Sequence, residues 1–303
     1  MKFKNFLKRV LSKIGYVKSL QIQVENFKNN SCFPPGHFYS PIISVVNIKE
    51  RQKEIWAKAK NDGIAGIELN TKRQIELLNK LSLYYKEIPF SEEKNNNRYF
   101  FNNNFYSYTD GIILYSMIRH FSPKKIVEVG SGFSSAVMLD TNQLFFDSRI
   151  KLFFIEPYPI NLDKILTEND RKTTILMQTD LQIVPLETFR QLEANDILFI
   201  DSTHVAKTGS DVNFIFFEIL PILKSGVIIH FHDIFYPFEY PQAWVFGGRN
   251  WNEDYFLKAF LMYNNQFEIL LFSDYLHKIH KDVFQNMPLS YKNHGGNFWM
   301  VKK

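Results

Sequence analysis

Ile126-Val127-Glu128-Val129-Gly130-Ser131-Gly132-Phe133-Ser134-Ser135 is the stretch on which the reading of this chain turns. Ile126 to Val129 is a short apolar run of the kind that forms a buried strand, and residues 134–144 follow with a helical pattern. Gly130 and Gly132 stand between them, where the backbone turns tightly and a ligand can approach without a Cβ in the way. The helix start behind the loop offers free N–H groups to a carboxylate or a phosphate. A dinucleotide fingerprint needs a third glycine near position 135, and this chain has Ser135 there. Glu128, two residues before the first glycine, would repel a pyrophosphate and suits a ligand that carries an ammonium and a sulfonium.

Beyond this loop the chain alternates short apolar strands with helices. Lys151–Ile155, Thr174–Met177, Asp196–Ile200 and a segment opening at Gly226 and running into His230-Phe231-His232-Asp233 read as strands two to five. A long apolar-faced helix is expected over 210–223 and another over 253–263. Phe267–Phe272 and Asn297–Val301 read as two closing strands with no clear helix between them, which implies one antiparallel addition. This pattern predicts an α/β protein with a doubly wound, mostly parallel seven-stranded sheet covered on both faces. Glu156, Asp180 and Asp201 follow the second, third and fourth strands, at the carboxyl edge where such sheets bind ligands.

Upstream, residues 1–108 read as an N-terminal helical and irregular extension, with 109–303 as the main domain. Phe3, Phe6, Leu7, Val10, Leu11 and Ile14 recur at helical spacing against Lys2, Lys4, Lys8, Arg9 and Lys13. The predicted basic amphipathic helix at 2–14 either docks on its own domain or makes a peripheral membrane contact, at the inner face of the membrane. Pro34-Pro35-Gly36 and Pro41 make residues 29–47 irregular. Helical patterns follow at 49–61 and 71–86, and Thr109-Asp110 are placed to cap a helix running to Phe121.

Composition narrows the function classes. The 303 residues carry a net charge of +5, a mild excess concentrated at the N-terminus, so nucleic acid is not an expected partner. One cysteine, Cys32, excludes an internal disulfide and a cysteine zinc site and points to a reducing, cytoplasmic setting. Aromatic residues reach 16%, with 30 Phe and 15 Tyr, which serves core packing or, alternatively, a ring- or sugar-binding surface.

Glu128-x-Gly130-x-Gly132, followed in order by Glu156 and Asp180, resembles the class I S-adenosylmethionine-dependent methyltransferases over residues 108–303. The resemblance implies a Rossmann-like fold and S-adenosylmethionine as cofactor. It places Gly130, Gly132 and Ser134 around the methionine part, Glu128 near its amino group, Glu156 on the ribose and Asp180 on the adenine, with Asp201 alongside. Pro34-Pro35-Gly36-His37-Phe38-Tyr39-Ser40-Pro41 looks similar to bacterial methyltransferase-like proteins of cell-surface glycan synthesis, which implies a hydroxyl on a sugar, glycan or other small molecule as methyl acceptor. His232 and His204, with Asp201, are the candidates for the catalytic group that takes the acceptor's proton. His230 shares a strand face with His232 but lies deeper, and a structural role is expected for it. Asp201 and Asp233 stand where catechol-type O-methyltransferases hold Mg²⁺ or another divalent metal. Ile234 replaces that family's amide ligand, which leaves His204 or His232 to substitute and favours a transition metal. Trp251-Asn252-Glu253, with Arg249, lie in a loop that can shape the pocket, Trp251 as a packing anchor and Asn252 as a helix cap. Two other readings compete: an NAD-dependent oxidoreductase, which Glu128 and Ser135 oppose, and a non-catalytic scaffold at the membrane surface.

Overall fold

The computed structural model describes residues 14–57 and 62–303, and the helix expected at 2–14 lies outside them except for Ile14. Its frame is a seven-stranded sheet of order β3-β2-β1-β4-β5-β7-β6. The strands are β1 (Lys125–Val129), β2 (Lys151–Ile155), β3 (Ile175–Met177), β4 (Ile197–Ile200), β5 (Ile228–Phe231), β6 (Phe267–Phe272) and β7 (Phe298–Lys302). β1 to β5 pair in parallel, and β7 is antiparallel to both β5 and β6. The doubly wound, mostly parallel reading is therefore correct, and its apolar runs are buried because helices cover both faces.

The direction of winding reverses at β1, whose neighbours are β2 and β4. Val129 pairs with both Ile155 and Ile200, so Gly130, Glu156 and Asp201 leave the sheet at one level. Gly130 N donates to Ile155 O at 3.0 Å, and Asp201 N to Val129 O at 2.8 Å. That level, outside the carboxyl ends at the switch point, is where doubly wound sheets open a crevice.

The described residues divide into two compact units, one drawn from Met1–Lys53 with Ala243–Asn250, the other Glu54–Gln242 with Trp251–Lys303. The first holds α1 (Gly15–Asn30) and most of α2 (Val45–Ile55). Within it, Ile43 N donates to Asn250 Oδ1 at 3.1 Å and the Arg249 guanidinium stacks on Trp244 at 4.1 Å. The second holds the sheet with α3 (Thr71–Leu81), α4 (Thr109–Phe121) and α5 (Phe133–Phe145). The boundary drawn at residue 108 falls inside this unit: Leu78, Leu81, Phe90, Tyr99, Phe101 and Tyr106 belong to the same buried cluster as the strands. Residues 109–118 of α4 are buried without a break. A helix apolar all round sits in the core, and that is its place here.

Three local expectations need correction. Thr109 and Asp110 do not cap α4 but lie within its first turn, after Tyr108. Thr109 Oγ1 donates to Ser290 O at 2.8 Å, and Asp110 Oδ1 accepts from Gly296 N at 3.0 Å and Asn297 Nδ2 at 2.9 Å. The helix over 210–223 is α only at α6 (Asp211–Phe214), then widens to a π-turn at Ile215–Ile219 and tightens at Leu220–Ile222. Pro221 cannot donate an N–H and interrupts the ladder. Between β6 and β7 the chain inserts α8 (Ser273–Ile279), after α7 (Glu253–Leu261). Its first five residues are all buried, so their apolar and polar side chains show no one-sided stripe for the sequence to reveal.

Candidate active site

The two loop glycines do different work. Gly130 has φ +77°, and a Cβ there would lie 2.0 Å from Asp201 O, so its missing side chain makes room for the neighbouring strand end. Gly132 is extended, and a Cβ there would meet nothing within 4 Å. Only the second glycine holds space open.

Glu128 does not face the crevice. Its carboxylate is fully buried and accepts from Ser134 Oγ at 2.5 Å and from Ser135 Oγ. Burial pushes it up to about 8, against the pull of the two hydroxyls. Ser135 Oγ also accepts from Gly132 N at 3.0 Å. Glu128, Ser134 and Ser135 thus pin the start of α5 to β1. Both Glu128 oxygens are thus engaged by the two serines behind the loop.

Glu156 directly follows β2. Its Oε2 accepts from Ser131 N at 3.1 Å and its Oε1 from Tyr158 N at 2.8 Å, which tie the glycine loop to the end of β2. With Gly130, Tyr158, Asp180, Gln182 and Asp201 it lines a cleft of about 360 Å³. A smaller cavity of about 110 Å³ lies against Tyr106, Ser131, Gly132, Phe133, Ser134 and Asp201. Asp201 borders both.

At the ends of β4 and β5 four groups converge. His204 Nε2 lies 3.3 Å from Asp201 Oδ1 and 3.7 Å from Asp233 Oδ2, and His232 Nε2 lies 3.5 Å from Asp233 Oδ1. Asp201, His204 and Asp233 each offer one donor atom within 4.8 Å of the others. His204 and Asp233 hold φ of +59° and +57°, a backbone state that non-glycine residues adopt at a cost of about 1 kcal/mol or more. The surroundings enforce it. Asn252 N and Glu253 N donate to His204 O at 3.0 and 3.2 Å. The Asn252 side chain grips Ala206 through its N–H at 2.6 Å and its C=O at 3.2 Å, instead of capping α7. Glu253 accepts from Ser202 Oγ at 2.8 Å and meets His204 Nδ1 at 2.8 Å, and the Trp251 ring packs on the imidazole at 4.3 Å.

Charge follows from this crowding. Burial disfavours an imidazolium at His204, but hydrogen bonds to Asp201 and Glu253 outweigh it and raise the imidazole well above its usual range. His232 is raised in the same way, by Asp233, Asp201 and Asp110 against burial. Burial works to raise Asp201 too, yet the two imidazoles hold it below the usual carboxylate range. Both imidazoles are thus biased toward the charged form by the carboxylates around them. His230 is different. It lies between the rings of Phe199 (4.1 Å) and Trp299 (4.4 Å), neither nitrogen has a partner among the described residues, and burial holds it neutral.

Two neighbours escaped the sequence reading. Asp110, whose carboxyl is raised to about 7 mainly by burial, faces the charge of His232. The Tyr106 ring lies 5.0 Å from that of His232, and its hydroxyl is buried without a partner among the described residues. Glu253 was noticed only as part of a pocket-shaping loop. Nothing local marks these residues, because each arrives from a segment distant in sequence.

Residues 127–234 match the family described as a methyltransferase domain. An uncharacterized protein of Archaeoglobus fulgidus is 34% identical over 170 residues, covering 54% of this chain and 76% of the relative. Similar solved structures include the apo-structure of CmcI-N160, at 16% identity over 64% of this chain and 70% of that one, with a TM-score of 0.39. The Podospora anserina methyltransferase PaMTH1 bound to SAH is 15% identical over 90% of this chain and 99% of that one, with a TM-score of 0.40. Those low scores add nothing to the assignment, which rests on the family match and on the strand order with its glycine loop. The chain belongs to the class I S-adenosylmethionine-dependent methyltransferase family.

Proposed function

We propose that the protein transfers a methyl group from S-adenosylmethionine to a hydroxyl of a sugar or other small polyol, with a divalent transition metal held by Asp201, His204 and Asp233. The observation that carries this reading is the convergence of those three donors beside Asp201's two cavities. Two carboxylates and an imidazole whose other nitrogen is engaged by Glu253 form a donor set suited to such an ion, with the acid that orients the ring already in place. A bound cation supplies Lewis acidity that lowers the pKa of an acceptor hydroxyl.

In this reading the ribose lies toward Glu156 and the adenine toward Asp180 in the main cleft, with the methionine end at the open side of Gly132; the residues that line the cleft support it. The transfer forms an O–CH₃ bond as the S–CH₃ bond breaks, and the hydroxyl proton leaves to a base. His232, beside Asp233, is the group assigned to take it; a cation held at Asp201 and Asp233 would offset the carboxylates that raise its imidazole. A sugar-like acceptor suits the exposed rings at the cavity mouths, Tyr158 at 78% and Phe105 at 69% exposure.

Calorimetry with S-adenosylmethionine, and separately with Mn²⁺, tests both halves. Micromolar cofactor binding lost in Glu156→Ala, with Mn²⁺ binding lost in Asp233→Asn but not in Glu156→Ala, is the expected pattern. A methyl-transfer screen on nucleotide sugars and free glycans then names the acceptor. Absence of cofactor binding overturns the reading as a whole, whereas cofactor binding without Mn²⁺ binding removes only the metal.

A further inference from the structure

Among the described residues, α1 buries none of its side chains, and only Val17 and Phe27 are half-buried. At about 100° per residue, Tyr16, Val17, Leu20, Val24 and Phe27 fall on one stripe with Lys28 at its edge, and Lys18, Gln21, Glu25, Asn26 and a single apolar residue, Ile22, fall outside it. Tyr16 is 73% exposed, Leu20 41% and Val24 52%. A lone 16-residue helix is marginal in water, and an apolar stripe left wet opposes it further. The same unit displays a second apolar feature, the stacked rings of Phe33, His37, Phe38 and Tyr39. Phe38 and Tyr39 are exposed there.

Charge says what covers the stripe. Residues 1–28 hold seven Lys and Arg against one acid, Glu25, so their net charge of +6 exceeds the +5 of the whole chain. The basic excess of the protein therefore lies entirely in the stretch that contains α1. We propose that α1, with the basic stretch before it, docks this protein on an anionic lipid surface. The stripe enters the boundary between headgroups and acyl chains, and the lysines meet the headgroup charge. Among the described residues no helix is long and apolar enough to cross a membrane, so this contact is peripheral for them. A second copy is the weaker occupant. The seam formed by Val17, Leu20, Val24 and Phe27 has the spacing of a coiled coil, but its next inward position is Lys13, and a parallel pair would bring two strongly basic segments together.

The test uses the full chain with vesicles of phosphatidylcholine alone or with about 30% phosphatidylglycerol, read by co-sedimentation. Partition onto the anionic vesicles is expected to be at least tenfold stronger (~10×) and to weaken by about as much when sodium chloride rises from about 0.1 to about 0.5 M. Leu20→Asp/Val24→Asp should cut it about tenfold or more with the melting temperature unchanged, since no α1 side chain is buried. Lys4→Gln and Lys8→Gln, a second route that spares the helix, should each cost about fivefold. Equal partition onto both vesicles, no partition, or indifference to both sets of substitutions overturns the proposal. So does a dimer seen by light scattering that Leu20→Asp/Val24→Asp dissolves while vesicle binding is absent, which would assign the stripe to a second copy.

Discussion

Gly130 and Gly132 read alike in the sequence, and the structure separates them by what a methyl group would touch. Gly130→Ala sets a Cβ against Asp201 O in a left-handed backbone state and should cost about 3 kcal/mol of stability, measured by denaturant unfolding. Gly132→Ala meets open space, so its stability should change by less than about 1 kcal/mol while affinity for S-adenosylmethionine falls in calorimetry. Equal loss of stability at both positions would refute the distinction. Tyr106 yields a prediction of the same grain. Its hydroxyl is buried beside the smaller cavity without a partner among the described residues, so Tyr106→Phe removes a polar atom that they do not use. The melting temperature should hold or rise, and methyl-transfer turnover should drop about tenfold if that hydroxyl finds its partner in a bound ligand. Lower stability with unchanged turnover would show a structural hydroxyl instead. Among the histidines, strand alternation correctly put His230 and His232 on one face, with ring centroids 5.9 Å apart. The opposite directions in which their imidazoles are shifted were hidden, because Asp110, Asp201 and Asp233 reach His232 only through the fold.

At the scale of elements, the junction of β1 and α5 is a small machine of its own. Gly132 caps the helix, Ser135 accepts from its N–H, and Ser134 with Ser135 donates to Glu128 behind the loop. Burial places the Glu128 carboxyl near 8 in the folded chain, against 4.5 when free. Between those values the folded protein keeps a proton that the unfolded chain has released, so the group's contribution to stability falls as pH rises through the window. Glu128→Gln lacks this slope. Its stability relative to the parent, from urea unfolding, should climb between pH 4.5 and about 8 and level off above; a flat difference would mean that the carboxyl is ionised throughout. The Glu128, Gly130, Gly132 and Ser135 pattern was fully legible, but the direction of the Glu128 side chain was not. A strand residue has two faces to choose from, and the serines that decide the matter sit on the next helix. Likewise α8 went unseen between β6 and β7, because burial on all sides removes the one-sided pattern that announces a helix.

The whole molecule adds the sheet order, and with it the crevice. S-adenosylmethionine at about a hundred times its dissociation constant should stabilise the native state by about 2.7 kcal/mol, visible as a rise in melting temperature, while NAD at the same concentration leaves it unmoved. A rise with NAD alone would reopen the dinucleotide reading that Ser135 argues against. By itself the sequence determined the alternation of strand and helix, the glycine loop and the acids that end the strands, because periodicity, glycine and β-propensity act over a few residues. Tertiary structure alone decided that β1 lies between β2 and β4, which brings Gly130, Glu156 and Asp201 to one level. It also decided that Glu253, 49 residues along the chain, holds His204 between Asp201 and Asp233. The reason is physical: strand order and the burial of charge are set by which faces pack together across the chain, and no local pattern encodes that choice.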